Sequence, residues 1–227
     1  AGYIDQDGQG PLRRDIYLLK TDASGTKLWE KTYGGTLDDE ARGIALQSDG
    51  GFVLTGFQSV AGDKENVFIL KTDPQGNTIW FNNFGASAYR KKGFAITTAP
   101  NGDLVVAGER KPTIPISKDI YVLRVGTSGN LIKEQTYEVS DSTGTTGDDE
   151  ARAITTTLDG QFILAGFSNI GQGGVGTLIK IDGNLNATPT WQKLMPNNDF
   201  YGIAKEPLTG NFFATGVRTI GVGPLAD

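Results

Sequence analysis

Short apolar runs alternate with turn signals along this chain, and no stretch keeps a helical period. Residues 15–22 and 27–34 read as two strands. Between them Asp22-Ala23-Ser24-Gly25 supplies a side-chain acceptor and then a residue free to take a positive φ, the chemistry of a tight hairpin. Residues 41–48 and 51–58 read as a second hairpin across Ser48-Asp49-Gly50. Within 15–22, Ile16 and Leu18 fall on one face of the strand, Tyr17 and Leu19 on the other. A strand apolar on both faces has to be covered on both faces.

The two hairpins recur. DIYLLKTDASGTKLW (15–29) returns as NVFILKTDPQGNTIW (66–80), as DIYVLRVGTSGNLIK (119–133) and, more loosely, as VGTLIKIDGNLNATPTW (175–191). In step with it run EARGIALQSDGGFVLTGF (40–57), RKKGFAITTAPNGDLVVAGE (90–109), EARAITTTLDGQFILAGF (150–167) and FYGIAKEPLTGNFFATGV (200–217). The glycines Gly56, Gly108, Gly166 and Gly216 mark the phase, 52, 58 and 50 residues apart, and Gly2 stands 54 residues before Gly56. Four short strands in a period of this size match a propeller blade, whose repeats run ~40–50 residues. Sheets packed radially would cover both faces of each strand, whereas a two-layer sandwich, the alternative, would leave one face exposed. The expected fold is therefore all-β: a propeller of four-stranded antiparallel blades with four repeats visible, within one domain spanning 1–227.

Asp22…Gly25…Trp29 and Asp73…Gly76…Trp80, each following an apolar strand, resemble the tryptophan-docking repeat of quinoprotein-type propellers. The longer string 18–57 is similar to propeller repeats of secreted and surface-anchored bacterial and archaeal proteins. The likeness spans nearly the whole chain and weakens where Gly126 and Lys133 replace the Asp and Trp of the motif. It implies that the 40–57 type of hairpin forms the two inner strands and the 15–35 type the two outer ones. Blades would then be about 41–82, 92–138 and 151–195, with a fourth made from 200–218 and 15–35. The phase of Gly2 marks a further inner strand, which favours a window cut from a longer array over a complete ring. The same likeness implies an extracellular, cell-surface or periplasmic location and a scaffold or binding role. It does not carry over the quinone-binding machinery of the family's enzymes, which often includes a vicinal disulfide.

Composition narrows the chemistry. The chain has no Cys and no His, which removes disulfides, thiol nucleophiles, HExxH zinc sites, Ser-His-Asp catalysis and histidine relays. A net charge of −5, with Arg90-Lys91-Lys92 as the one short basic run, argues against a nucleic-acid surface. No segment approaches the ~18 apolar residues of a membrane helix, so no membrane insertion is expected. No phosphate-binding glycine motif occurs, and no cofactor is expected.

Two acidic clusters, Asp38-Asp39-Glu40 and Asp148-Asp149-Glu150, precede Ala-Arg in the first inner strand. Asp38, Asp39, Asp148 and Asp149 are candidate Ca²⁺ ligands, since hard cations take several loop oxygens. The competing reading has the acids accepting backbone N–H bonds and pairing with Arg42 or Arg152. The matching residues of the second repeat are basic, which excludes a metal role shared by every blade. Asp39, Glu40, Asp149 and Glu150 are also the acids a paired-carboxylate glycosidase would draw on. Trp29, Trp80 and Trp191 recur in register and read as inter-blade packing. Tyr89 and Tyr201 stand in variable positions at the expected mouth and, with Glu40 and Glu150, are the candidate ligand-binding residues. The function expected is a non-catalytic binding module with a protein or glycan partner; a lectin-like or carbohydrate-active propeller is the alternative. Specificity is expected at the breaks in register: Lys133, Arg90-Lys91-Lys92 and the loop 111–118.

Overall fold

A computed structural model describes residues 2–5, 14–61, 64–85, 88–112, 117–170 and 173–219, and among these no helix occurs. The strands form five antiparallel sheets. The first is β1 (Gly2–Asp5), β2 (Arg14–Thr21) and β3 (Lys27–Tyr33). The second is β4 (Asp39–Leu46), β5 (Phe52–Val60), β6 (Lys64–Thr72) and β7 (Thr78–Phe84). The third is β8 (Tyr89–Thr98), β9 (Leu104–Pro112), β10 (Asp119–Val125) and β11 (Leu131–Tyr137). The fourth is β12 (Asp148–Thr156), β13 (Phe162–Ile170), β14 (Gly173–Ile181) and β15 (Trp191–Pro196). The fifth is the hairpin β16 (Asn198–Lys205) and β17 (Phe212–Arg218). Of the loop 111–118, residues 113–116 lie outside the described residues.

Hairpin turns form where the turn chemistry places them. Asp22 accepts the amides of Ser24 and Thr26, each at 2.9 Å, and Gly25 takes φ 85°. Each sheet then packs on the next. Alternate residues of one strand serve two different cores: Val67 and Ile69 of β6 pack toward the third sheet, while Phe68 and Leu70 pack toward the first. In β9, Leu104 and Val106 face one neighbour, Val105 and Ala107 the other. All eight are at most 1% exposed, and burying each large apolar side chain contributes ~1.5–3 kcal/mol. Both faces of these sheets are covered, so the arrangement is not a two-layer sandwich.

Successive sheets touch through their first strands, β4 on β8, β8 on β12 and β12 on β16. At Gly43 an added Cβ would lie 2.9 Å from the Ala95 Cα, which accounts for the small residues at this repeat position: Gly43, Ala95, Ala153 and Gly202. Farther out, tryptophans link neighbouring sheets. Trp29 of β3 rests on the β6–β7 turn, where a Cβ at Gly76 would be 3.0 Å from its ring, and Tyr33 donates to the Gly76 carbonyl at 2.6 Å. Trp80 of β7 repeats the contact on Gly129 of the β10–β11 turn, with Asn82 donating to the Gly129 carbonyl at 2.9 Å.

The ends depart from the expected pairing. Residues 14–33 pair with β1, and 198–218 stand as a two-stranded sheet, so 200–218 and 15–35 do not form a blade together. The reason is register: Gly2 faces Tyr17 just as Gly56 faces Phe68, so β1 already fills the place beside β2. Positions that the interior sheets bury are exposed in the first and last sheets. Leu19 is 44% exposed where Leu70 and Leu123 are fully buried, and Phe213 is 64% exposed where Val53 and Val105 are fully buried.

Candidate functional site

The first strands of the last four sheets, β4, β8, β12 and β16, each carry one extra residue at the same place. The register slips between Ala41 and Gly43, Gly93 and Ala95, Ala151 and Ala153, and Phe200 and Gly202. The residues set aside by these β-bulges are Arg42, Phe94, Arg152 and Tyr201. A bulge re-aims a side chain and is often found beside a functional site. It also explains the phase-marking glycines. The bulge presses a carbonyl against the facing strand, so a Cβ on Gly56, Gly108, Gly166 or Gly216 would sit 2.8–2.9 Å from the carbonyl carbon of Glu40, Lys92, Glu150 or Asp199, and nearer still to its oxygen.

The four bulge residues line one cavity of about 370 Å³ together with Glu150. They alternate cation and ring. The Arg42 guanidinium lies 5.2 Å from the centre of the Phe94 ring, and that of Arg152 lies 4.5 Å from the Tyr201 ring, attractive contacts between a charge and a ring face. Carboxylates fix both arginines: Glu40 accepts from Arg42 Nε at 2.7 Å, and Glu150 from Arg152 Nε at 2.6 Å. Arg152 also pairs with Asp199, which accepts from the Tyr201 hydroxyl at 2.8 Å.

A second cavity of about 240 Å³ shares Glu150 and Arg152 with the first and reaches Lys118, Asp149, Phe167 and Asn169. Lys118 Nζ sits 2.9 Å from Glu109 and 3.7 Å from Glu150. Burial pushes the Glu109 carboxyl above its ordinary range, and the neighbouring charge of Glu150 adds to this against the pull of Lys118.

The sequence-derived candidates separate into three groups. Tyr201 and Glu150 do line the cavity, and Glu40 borders it through Arg42. Tyr89, at the start of β8, is stacked by Arg110 at 4.6 Å and lines neither cavity. Asp38, Asp39, Asp148 and Asp149 are held by backbone amides, from Arg14 (3.1 Å), Gly35 (2.7 Å), Lys118 (3.0 Å) and Val139 (2.8 Å) respectively. Among the described residues no group of three or more Asp or Glu is placed to hold a metal ion.

Asp39 and Asp149 are fully buried. Burial pushes Asp39 up and Asp149 up to about 7, and Oδ1 of each has no hydrogen bond of good geometry. In the third sheet the same position is Lys91, 3% exposed, at 2.9 and 3.0 Å from the Glu134 carboxylate and 4.9 Å from the centre of the Tyr121 ring. Its neighbour Lys92 pairs with Glu65 at 3.0 Å. The basic run Arg90-Lys91-Lys92 thus serves internal ion pairs at its last two residues. Sequence reasoning missed Phe94 as a site residue and treated Arg42 and Arg152 only as ion-pair partners. The available signal was a large residue set between small ones in Gly93-Phe94-Ala95, Ala41-Arg42-Gly43 and Ala151-Arg152-Ala153.

Neither a protein-family profile nor a curated protein sequence matches this chain.

Proposed function

We propose that these sheets are blades of a β-propeller, with their first strands toward the axis, and that the chain is a non-catalytic binding module of a secreted or cell-surface protein. The sequential stacking of sheets that meet at their first strands supports the propeller, as does the resemblance to tryptophan-docking repeats. One observation carries the binding reading: four side chains from the same bulge position in four successive sheets line one cavity. Structure alone would not ask for two cations and two rings there. Binding residues on a rigid scaffold are commonly presented this way. The carboxylates at this cavity are engaged with guanidinium groups, an arrangement that holds side chains in place rather than one that moves protons.

The test needs no known ligand. A library of small polar and aromatic fragments is screened against the ¹⁵N-labelled chain by amide chemical-shift mapping. Shifts clustering at residues 40–43, 93–95, 150–153 and 199–202 are the expected result. Shifts scattered over the surface, or confined to the outer turns, would remove the binding reading.

A further inference from the structure

We infer that the two neighbouring cavities receive an uncharged sugar ring of a glycan; this rests on the binding-module reading above and names the ligand class of that site. The argument begins with charge. Arg42 is matched by Glu40, Arg152 by Glu150 and Asp199, and Lys118 by Glu109 and Glu150. Each cation facing the cavities is engaged by at least one carboxylate, so no unpaired cation remains to draw in an anion. A phosphate or sulfate ligand would need cations without such partners.

What remains is hydrogen-bonding capacity beside ring faces. The Asn169 amide both donates and accepts, and the Glu150 carboxylate accepts, both in the lining of the smaller cavity. A sugar hydroxyl is donor and acceptor at once and answers this mixed set, which a purely apolar or purely ionic ligand does not. Phe94 and Tyr201 in one cavity and Phe167 in the other offer apolar faces to the C–H face of a pyranose. Arg42 and Arg152 brace these rings by stacking on them. The larger cavity, about 370 Å³, falls in the range of small-molecule sites, ~300–1,000 Å³, and the smaller, about 240 Å³, shares Glu150 and Arg152 with its lining.

Titration calorimetry with cellohexaose, mannohexaose, xylohexaose and galactohexaose, and with hexagalacturonate as the charged counter-probe, tests this. At least one neutral oligosaccharide is expected to bind, about tenfold or more weaker to Tyr201→Ala and to Phe94→Ala. Tyr201 is 53% exposed, so its truncation leaves the fold intact. Binding is expected to change little between about 0.05 and 0.5 M salt, and to be untouched by Leu28→Ala on the distant first sheet. No neutral binding, neutral binding indifferent to Tyr201→Ala and Phe94→Ala, or hexagalacturonate binding alone with strong salt dependence would each overturn the sugar assignment. If fragments still cluster at the bulge residues in that case, the binding-module reading stands and only the ligand class falls.

Discussion

Replacing Gly56 by Ala separates the bulge's effect from that of glycine in general. The new Cβ would lie 2.8 Å from the Glu40 carbonyl carbon and 2.9 Å from the Ala41 Cα, where carbon atoms prefer about 3.5–4.0 Å. Both obstacles are backbone, so no flexible side chain can move aside. Relief requires β4 and β5 to part by roughly 1 Å at the bulge, which overpacks the neighbouring sheet at ~1–3 kcal/mol and weakens ladder hydrogen bonds worth ~1 kcal/mol each. A loss of about 3 kcal/mol follows, and in a protein of this size each kcal/mol lowers Tm by ~2–4 °C, so Tm should fall by about 6–12 °C. Gly2 is the control. It has the same phase in β1, but among the described residues no bulged strand pairs with it, and nothing lies within 4 Å of an added Cβ. Gly2→Ala should be neutral or slightly stabilising, since Ala loses less chain entropy on folding than Gly. Thermal unfolding followed by circular dichroism measures both. Equal Tm values for the two variants, within about 2 °C, would refute the account of the bulge.

Asp149, with its carboxyl pushed up to about 7 by burial, is more protonated folded than unfolded. Stability should therefore decline as pH rises from about 4 through 7, and Asp149→Asn should flatten that decline in Tm measured across pH; an unchanged slope in the variant would contradict the burial effect. Trp80 docks on the β10–β11 turn of the next sheet, whereas the sheet that follows Trp191 has only two strands among the described residues, so Trp80→Ala should cost about 3 kcal/mol and Trp191→Ala clearly less in denaturant unfolding. Phe213→Ser should change stability by less than ~0.5 kcal/mol while Val53→Ala, at the same repeat position, costs about 2 kcal/mol; similar costs would mean that the face of the last sheet is covered.

Much of the fold was legible because the repeat is local. Strands 15–22, 27–34, 41–48 and 51–58 correspond to β2–β5, since Asp-Gly and Ser-Gly turn chemistry and short apolar runs act within a few residues. The two-faced pattern of Ile16, Leu18, Tyr17 and Leu19 announced stacking, although Leu19 stays open because nothing in the described residues covers that face. The role of Trp29 and Trp80 was legible from their register. The site was harder to read. A bulge adds one residue without a composition of its own, and its consequence appears only when the facing strand is in place. Phe94 gains meaning from Arg42, which lies on another sheet. Tyr89 looked equivalent to Tyr201 as a loop aromatic, yet it precedes the bulge residue Phe94 by five positions and meets Arg110 instead. The pairing of buried Lys91 with exposed Glu134 joins the first and last strands of one sheet, a distance no local pattern encodes.

The most direct measurement is a crystal structure of the chain soaked with the fragment that gives the largest amide shifts. Arg42, Phe94, Arg152 and Tyr201 should converge on one cavity with the fragment held among them. A structure in which these side chains diverge, or in which the fragment sits elsewhere while the cavity stays empty, would contradict the claim that the repeated bulge builds a binding site.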